Sequence, residues 1–132
     1  MIKGIGHLGI TVKNIEKSLA AVSKALDLAV PTIRDIPEKK MKVAVVDLNG
    51  IGLEFIEDYR EDGEFREFVR KRGDAIHHFC LLTDNIEADI ELLMRRGIEM
   101  ADHKPKLGLR GKKIAFTKPS ALNGIPIELS EP

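Results

Sequence analysis

His7-Leu-Gly-Ile-Thr-Val-Lys-Asn14-Ile15-Glu16 returns later in the chain as His78-Phe-Cys-Leu-Leu-Thr-Asp-Asn85-Ile86-Glu87, 71 residues on. At the same offset Lys42-Val-Ala-Val45 meets Lys113-Ile-Ala-Phe116. Asn49-Gly-Ile-Gly-Leu-Glu54-Phe-Ile-Glu57 then meets Asn123-Gly-Ile-Pro-Ile-Glu128-Leu-Ser-Glu131, with three extra residues falling in the loop Lys118-Pro-Ser-Ala-Leu-Asn123. Three matches in one order make a duplicated unit, and the period decides the architecture.

Each copy reads as a strand, a helix and about three further strands. Leu8, Ile10 and Val12 alternate with His7, Gly9 and Thr11, the period of a strand with two unlike faces. Asn14 can cap the next helix, whose apolar stripe is expected at Ile15, Leu19, Val22 and Leu26. The second copy repeats this with Asn85 as cap, Ile86, Ile90 and Leu93 as stripe, and Gly97 as the stop. Residues 61–72 read as a charged linker helix with Phe65, Phe68 and Val69 turned inward. The expected fold is α+β: two tandem βαβββ modules, about 1–58 and 74–132, forming one domain with a curved, cup-shaped mixed sheet and helices outside.

The 132 residues suit a single domain, and 21 basic against 21 acidic side chains leave no net charge. That balance argues against nucleic acid as the main partner. It conceals two local excesses. Glu54 to Glu67 holds seven acids against Arg60 and Arg66, and Lys104 to Lys118 holds six basic residues and no acid. One cysteine, Cys80, excludes an internal disulfide and a four-cysteine zinc site. No apolar run approaches the roughly 18 residues of a membrane span, and the first residues lack a signal-peptide layout, so a cytoplasmic protein is expected.

The duplication gathers scattered polar residues into a constellation. His7 and His78 open the first strand of each module, and Glu54 and Glu128 lie on the last. Leu53 and Phe55, like Ile127 and Leu129, must face the helices, so alternation sends both glutamates to the opposite face, with His7 and with His78 and Cys80. Taken singly, each is better explained as a packed histidine or a solvated strand residue. Taken together at repeat-equivalent places, two imidazoles and two carboxylates suit a divalent ion such as Co, Mn, Ni, Zn or Fe, with coordination positions left for substrate. Gly4-Ile-Gly6-His-Leu-Gly9 matches a dinucleotide fingerprint only formally, since no strand precedes it. His77 should point to the helix side and His103 into solvent.

With these residues in place, the chain resembles the vicinal oxygen chelate superfamily, which includes glyoxalase I and the methylmalonyl-CoA epimerases. The likeness to the epimerases is carried by Ile36-Pro-Glu-Lys, Arg72-Gly-Asp-Ala-Ile-His77-His78-Phe, Pro105-Lys-Leu-Gly-Leu-Arg-Gly-Lys-Lys-Ile-Ala-Phe116 and Asn123-Gly-Ile-Pro-Ile-Glu128-Leu. The resemblance implies a metal held by His7, Glu54, His78 and Glu128. It also implies an acyl-CoA thioester substrate, epimerised by α-proton abstraction through a stabilised enolate, and a homodimer. Lys106, Arg110, Lys112 and Lys113 are the expected binders of CoA phosphates. Some epimerases carry a catalytic Glu where this chain has Val43, which leaves Glu128 and Glu54 as candidate acid–base groups, with water or Glu38 as alternatives for the second. Lys118-Pro119 and Leu19-Ala20-Ala21 also depart from the family pattern. The competing readings are a glyoxalase I-type lyase and a non-catalytic small-molecule binding protein of the same fold.

Overall fold

The structure is a computed structural model and describes residues 1–132. Its elements run β1 (Ile2–Thr11), α1 (Ile15–Leu26), β2 (Arg34–Ile36), β3 (Met41–Leu48), β4 (Ile51–Asp58), α2 (Glu64–Arg72), β5 (Ala75–Thr83), α3 (Ile86–Arg95), β6 (Lys106–Leu107), β7 (Lys113–Phe116) and β8 (Ile127–Ser130). This is βαβββ, a helix, and βαβββ again. No helix is long and apolar enough to cross a membrane.

The chain divides into two compact units, Leu8–His77 and Met1–His7 with His78–Pro132. In the first, β2, β3 and β4 form antiparallel pairs, and β1 lies beside β4. The Val12 amide reaches the Ile56 carbonyl at 2.9 Å. Ile15 and Leu19 of α1 pack on Val12, Ala44, Val46 and Phe55, joined by Ile10 and Leu53. Leu26, expected on that stripe, is instead 57% exposed. The helix reaches its C-cap at Asp27, in the left-handed conformation, and the buried contact of its last turns falls to Ser23.

The second unit has the strand order β5-β8-β7-β6, with β5 and β8 parallel and the other pairs antiparallel. Its core is Ile86 and Ile90 of α3 against Met100, Ala115 and Leu129, with Leu81 and Leu93 at the margin. Both caps form as the residues imply. Asn14 Oδ1 accepts from the Lys17 amide at 3.0 Å, and Asn85 Oδ1 from the Ala88 amide at 3.1 Å. Gly97, just past the end of α3, takes the left-handed conformation with φ 80°.

The helix joining the modules begins at Glu64 rather than at residue 61, because Gly63 is its N-cap. Asp58, at the end of β4, accepts from Arg60 Nε and Nη2 at 3.0 Å each and lies so close to Gly63 that a Cβ there would collide with the Asp58 carboxylate. Phe65 and Phe68 of this helix pack edge-on against His77, with ring centroids 4.8 and 4.7 Å away. His77 is thus a packed histidine on the helix side of β5.

Candidate metal centre

Alternation along β5 and β8 builds the site. Leu81 and Leu129 turn to α3, so His78, Cys80 and Glu128 turn the other way. Cys80 and Phe116 are the register partners of Glu128 on the strands at either side of it, and His78 is two residues before Cys80. His7 ends the stretch of β1 that belongs to this unit. His7, His78, Cys80 and Glu128 are all buried.

The two imidazoles converge on one carboxylate oxygen. His7 Nε2 lies 3.1 Å from Glu128 Oε2, and His78 Nε2 lies 3.0 Å from the same atom. His78 Nε2 thus stands within ion-pair distance of the oxygen that His7 also meets. The two rings stand edge to face at 5.6 Å, and Phe116 packs edge-on against His78 at 5.0 Å. Burial alone would raise the Glu128 pKa, but His7 and His78 beside it outweigh that and hold it down at about 2. Glu128 is a buried carboxylate kept anionic by its neighbours.

These residues fit a divalent cation. Ligand atoms each about 2.1 Å from one ion, at right angles, stand about 3.0 Å apart. The two imidazole nitrogens keep that distance from Glu128 Oε2. A soft donor is also within the group, because the ligand atoms of His7, Cys80 and Glu128 lie within 4.8 Å of one another. Imidazole with carboxylate, and a thiol nearby, is a donor set for the later first-row metals rather than for calcium.

Residues 6–116 match the Glyoxalase/Bleomycin resistance protein/Dioxygenase superfamily. The chain belongs to that superfamily. It is 31% identical to the uncharacterized protein YqjC of Bacillus subtilis (strain 168), over 97% of this chain and 91% of the relative. It is 27% identical to an ethylmalonyl-CoA/methylmalonyl-CoA epimerase of Cereibacter sphaeroides, over 99% of each. A solved methylmalonyl-CoA epimerase in complex with methylmalonyl-CoA and NH4+ superposes with a TM-score of 0.91 at 22% identity, over 99% of this chain and 95% of the other. The fold is therefore the glyoxalase-superfamily fold, as the resemblance implied.

Glu54 is buried on β4, in the first unit, and Val43 is buried on β3. The basic loop is less open than its composition suggests. Lys106 pairs with Asp102 at 3.1 Å and Lys113 with Glu87 of α3 at 2.9 Å, while Lys112 is exposed. Arg110 turns inward, its Nη2 3.0 Å from His7 Nδ1. Alternation had already set Cys80 on the face of His78, but nothing in the sequence signalled that Arg110 would reach a candidate ligand. That contact depends on how the Gly108–Gly111 loop folds back, with Gly111 at φ 76° and its amide on the Gly108 carbonyl.

Proposed function

We propose that the protein is a metal-dependent epimerase interconverting (R)- and (S)-methylmalonyl-CoA or a close acyl-CoA. The observation that carries this reading is the pair of buried imidazoles closing on one buried, anionic carboxylate oxygen. The full-length likeness to epimerase relatives supports it. His7, His78 and Glu128 would hold the ion, with Glu54 as the fourth ligand. A divalent ion there supplies Lewis-acid stabilisation of the negative charge that builds on a thioester oxygen when the α-proton leaves.

The rest falls to the protein's own groups. Inversion removes a proton from one face of the α-carbon and returns one to the other, so two acid–base groups must flank it. Val43 offers none, and Glu38 is exposed between β2 and β3. Glu128 is therefore assigned one proton transfer, and Glu54 or a water the other. Glu128, kept anionic beside His7 and His78, would serve as one of the two groups. The exposed Lys112, with Lys106 and Lys113 exchanging their carboxylate partners for phosphate, would bind the CoA end.

The test follows the α-proton. Metal-loaded protein with methylmalonyl-CoA in deuterated water should lose the α-proton signal well above the spontaneous rate. No excess exchange with Co, Mn, Ni, Zn or Fe overturns the reading. Conversion of methylglyoxal and glutathione instead would move the protein to the lyase class.

A further inference from the structure

Arg110 differs from the lysines of its loop in what its tip meets. Lys106 and Lys113 reach Asp102 and Glu87, whereas Arg110 Nη2 stands 3.0 Å from His7 Nδ1. The other nitrogen of that ring, Nε2, lies 3.1 Å from Glu128 Oε2. The width of one imidazole therefore separates the guanidinium from the carboxylate assigned a proton transfer. Arg110 as a whole is exposed, and only its tip arrives at this buried group.

That spacing decides which part of an acyl-CoA the guanidinium can meet. The CoA phosphates lie a whole pantetheine arm away from the thioester, so a cation that binds them stands far from the reacting carbon. In a malonyl-type thioester the free carboxylate is bonded directly to the α-carbon, the atom that Glu128 must reach. A guanidinium this close to Glu128 is placed for the carboxylate and not for a phosphate.

The chemistry agrees with the placement. A guanidinium keeps its charge throughout the working pH range, and its planar fork of five donors matches the two oxygens of a carboxylate. A ring nitrogen offers it one site, whereas a carboxylate offers two oxygens and a full charge, so an exchange of partners favours the carboxylate. A second carboxylate entering beside Glu128 also meets a like group, and loss of the α-proton adds negative charge on the thioester oxygen. A fixed cation at this place offsets both.

We infer, resting on the acyl-CoA reading given above, that Arg110 forms a carboxylate subsite: it binds the free carboxylate on the α-carbon, and so selects malonyl-type thioesters over branched acyl-CoAs that lack that group. The loop allows the tip to pass from His7 to the substrate. Arg110 sits between Gly108 and Gly111, and Gly111 holds the left-handed conformation with φ 76°.

The test compares three ligands on the full chain in the presence of Zn2+: methylmalonyl-CoA, isobutyryl-CoA, in which a methyl group replaces the carboxylate, and CoA itself. Affinities are measured by calorimetry for the parent, Arg110→Met and Arg110→Lys. Arg110→Met should bind methylmalonyl-CoA about thirtyfold more weakly, the loss of a charge-assisted pair, and should hold isobutyryl-CoA and CoA within about twofold of the parent. Arg110→Lys, which keeps the charge without the fork, should fall between parent and Arg110→Met.

Equal weakening of all three ligands would assign Arg110 to the CoA phosphates and overturn the inference. Equal weakening of the two thioesters with CoA unchanged would mean that Arg110 acts only through His7, and overturns it too, as does no change in any affinity. Exchange of the α-proton on the same samples separates this from the epimerase reading. Carboxylate-selective loss in Arg110→Met with no exchange in the parent overturns that reading and leaves the subsite standing. A parent that binds no acyl-CoA overturns both.

Discussion

The two units share a plan and differ in how they spend their residues. In Leu8–His77, β3 and β4 run eight residues each around a two-residue turn, Asn49 at φ 54° and Gly50 at φ 93°. The other unit keeps the same left-handed pair at Asn123 and Gly124, with φ 56° and 88°. Its strands β7 and β8 nevertheless have only four residues each. The remaining length is loop, on both sides of β7. The cores are alike, Ile15, Leu19 and Phe55 in one and Ile86, Ile90 and Leu129 in the other. Regular pairing in the first unit accompanies plain packing. Shortened pairing in the second leaves loop for Arg110 and surrounds the Glu128 cluster. Loops beside a shortened ladder are freer to adapt than a turn between long strands, which is what loop physics leads one to expect.

Neighbouring residues on β8 put the largest effects to the test. Glu128→Gln keeps the shape and removes the charge that draws both imidazoles. It should lower Zn2+ affinity by about a hundredfold or more and abolish α-proton exchange. Leu129→Ala, on the opposite face, should do the reverse. It deletes a core side chain that is 1% exposed, costing about 2–5 kcal/mol in urea unfolding, while metal affinity of the folded fraction is kept. If both variants fail in the same way, core and centre are not separable within this unit.

The first unit has its own polar anchor, and it is structural. Gly63→Ala would push a methyl group into Asp58 and separate it from Arg60. Charge-assisted bonds of this kind contribute about 1.5–3 kcal/mol, so a loss of about 2 kcal/mol in denaturant melts is expected, with metal binding unchanged. Asp58 also sets an acid limb. Burial works to raise its pKa, but the Arg60 bonds outweigh that and hold it below the usual value. Its contribution is fully present above the unfolded-state pKa of about 3.9 and drains away as pH falls through the lower folded value. Asp58→Asn should flatten the fall in stability below pH ~4, seen by urea melts across that range. An unchanged slope would mean the pair adds nothing to acid stability.

Much of this was legible in the residues because it rests on short-range rules. The offset between His7 and His78, the caps Asn14 and Asn85, the stop at Gly97 and the inward set Ile86, Ile90 and Leu93 follow from period and local hydrogen bonding. Leu26 was misplaced because a helical period does not say where the helix loses its core, and α1 turns out of it one turn early. The strand alternation placed Cys80 and Glu128 on the face of His78. It could not place Arg110, whose contact with His7 spans 103 residues and depends on loop conformation rather than on any repeat. Nor could composition show that Lys106 and Lys113 meet Asp102 and Glu87, since both acids lie outside the basic run.

The smallest effect concerns the two caps, which look equivalent and are not. Asn14→Ala orphans the Lys17 amide, and Asn85→Ala orphans the Ala88 amide; the usual cost is about 1 kcal/mol. Around Asn14 there is a second acceptor, because Glu57 Oε1 takes the Ile15 amide at 2.9 Å and leaves a negative charge at the helix N-terminus. The corresponding acid in the repeat is Glu131, at the end of the chain; the first-turn glutamates are alike, Glu16 paired with Lys42 and Glu87 with Lys113, so Glu57 is the difference. Asn85→Ala should therefore cost a few tenths of a kcal/mol more than Asn14→Ala in paired urea melts. Adding Glu57→Gln to Asn14→Ala should close the gap, because it removes the charge that softened the first loss. Equal costs for the single variants, unchanged by Glu57→Gln, would show that Glu57 fixes only the Ile15 amide and lends the helix end no wider support.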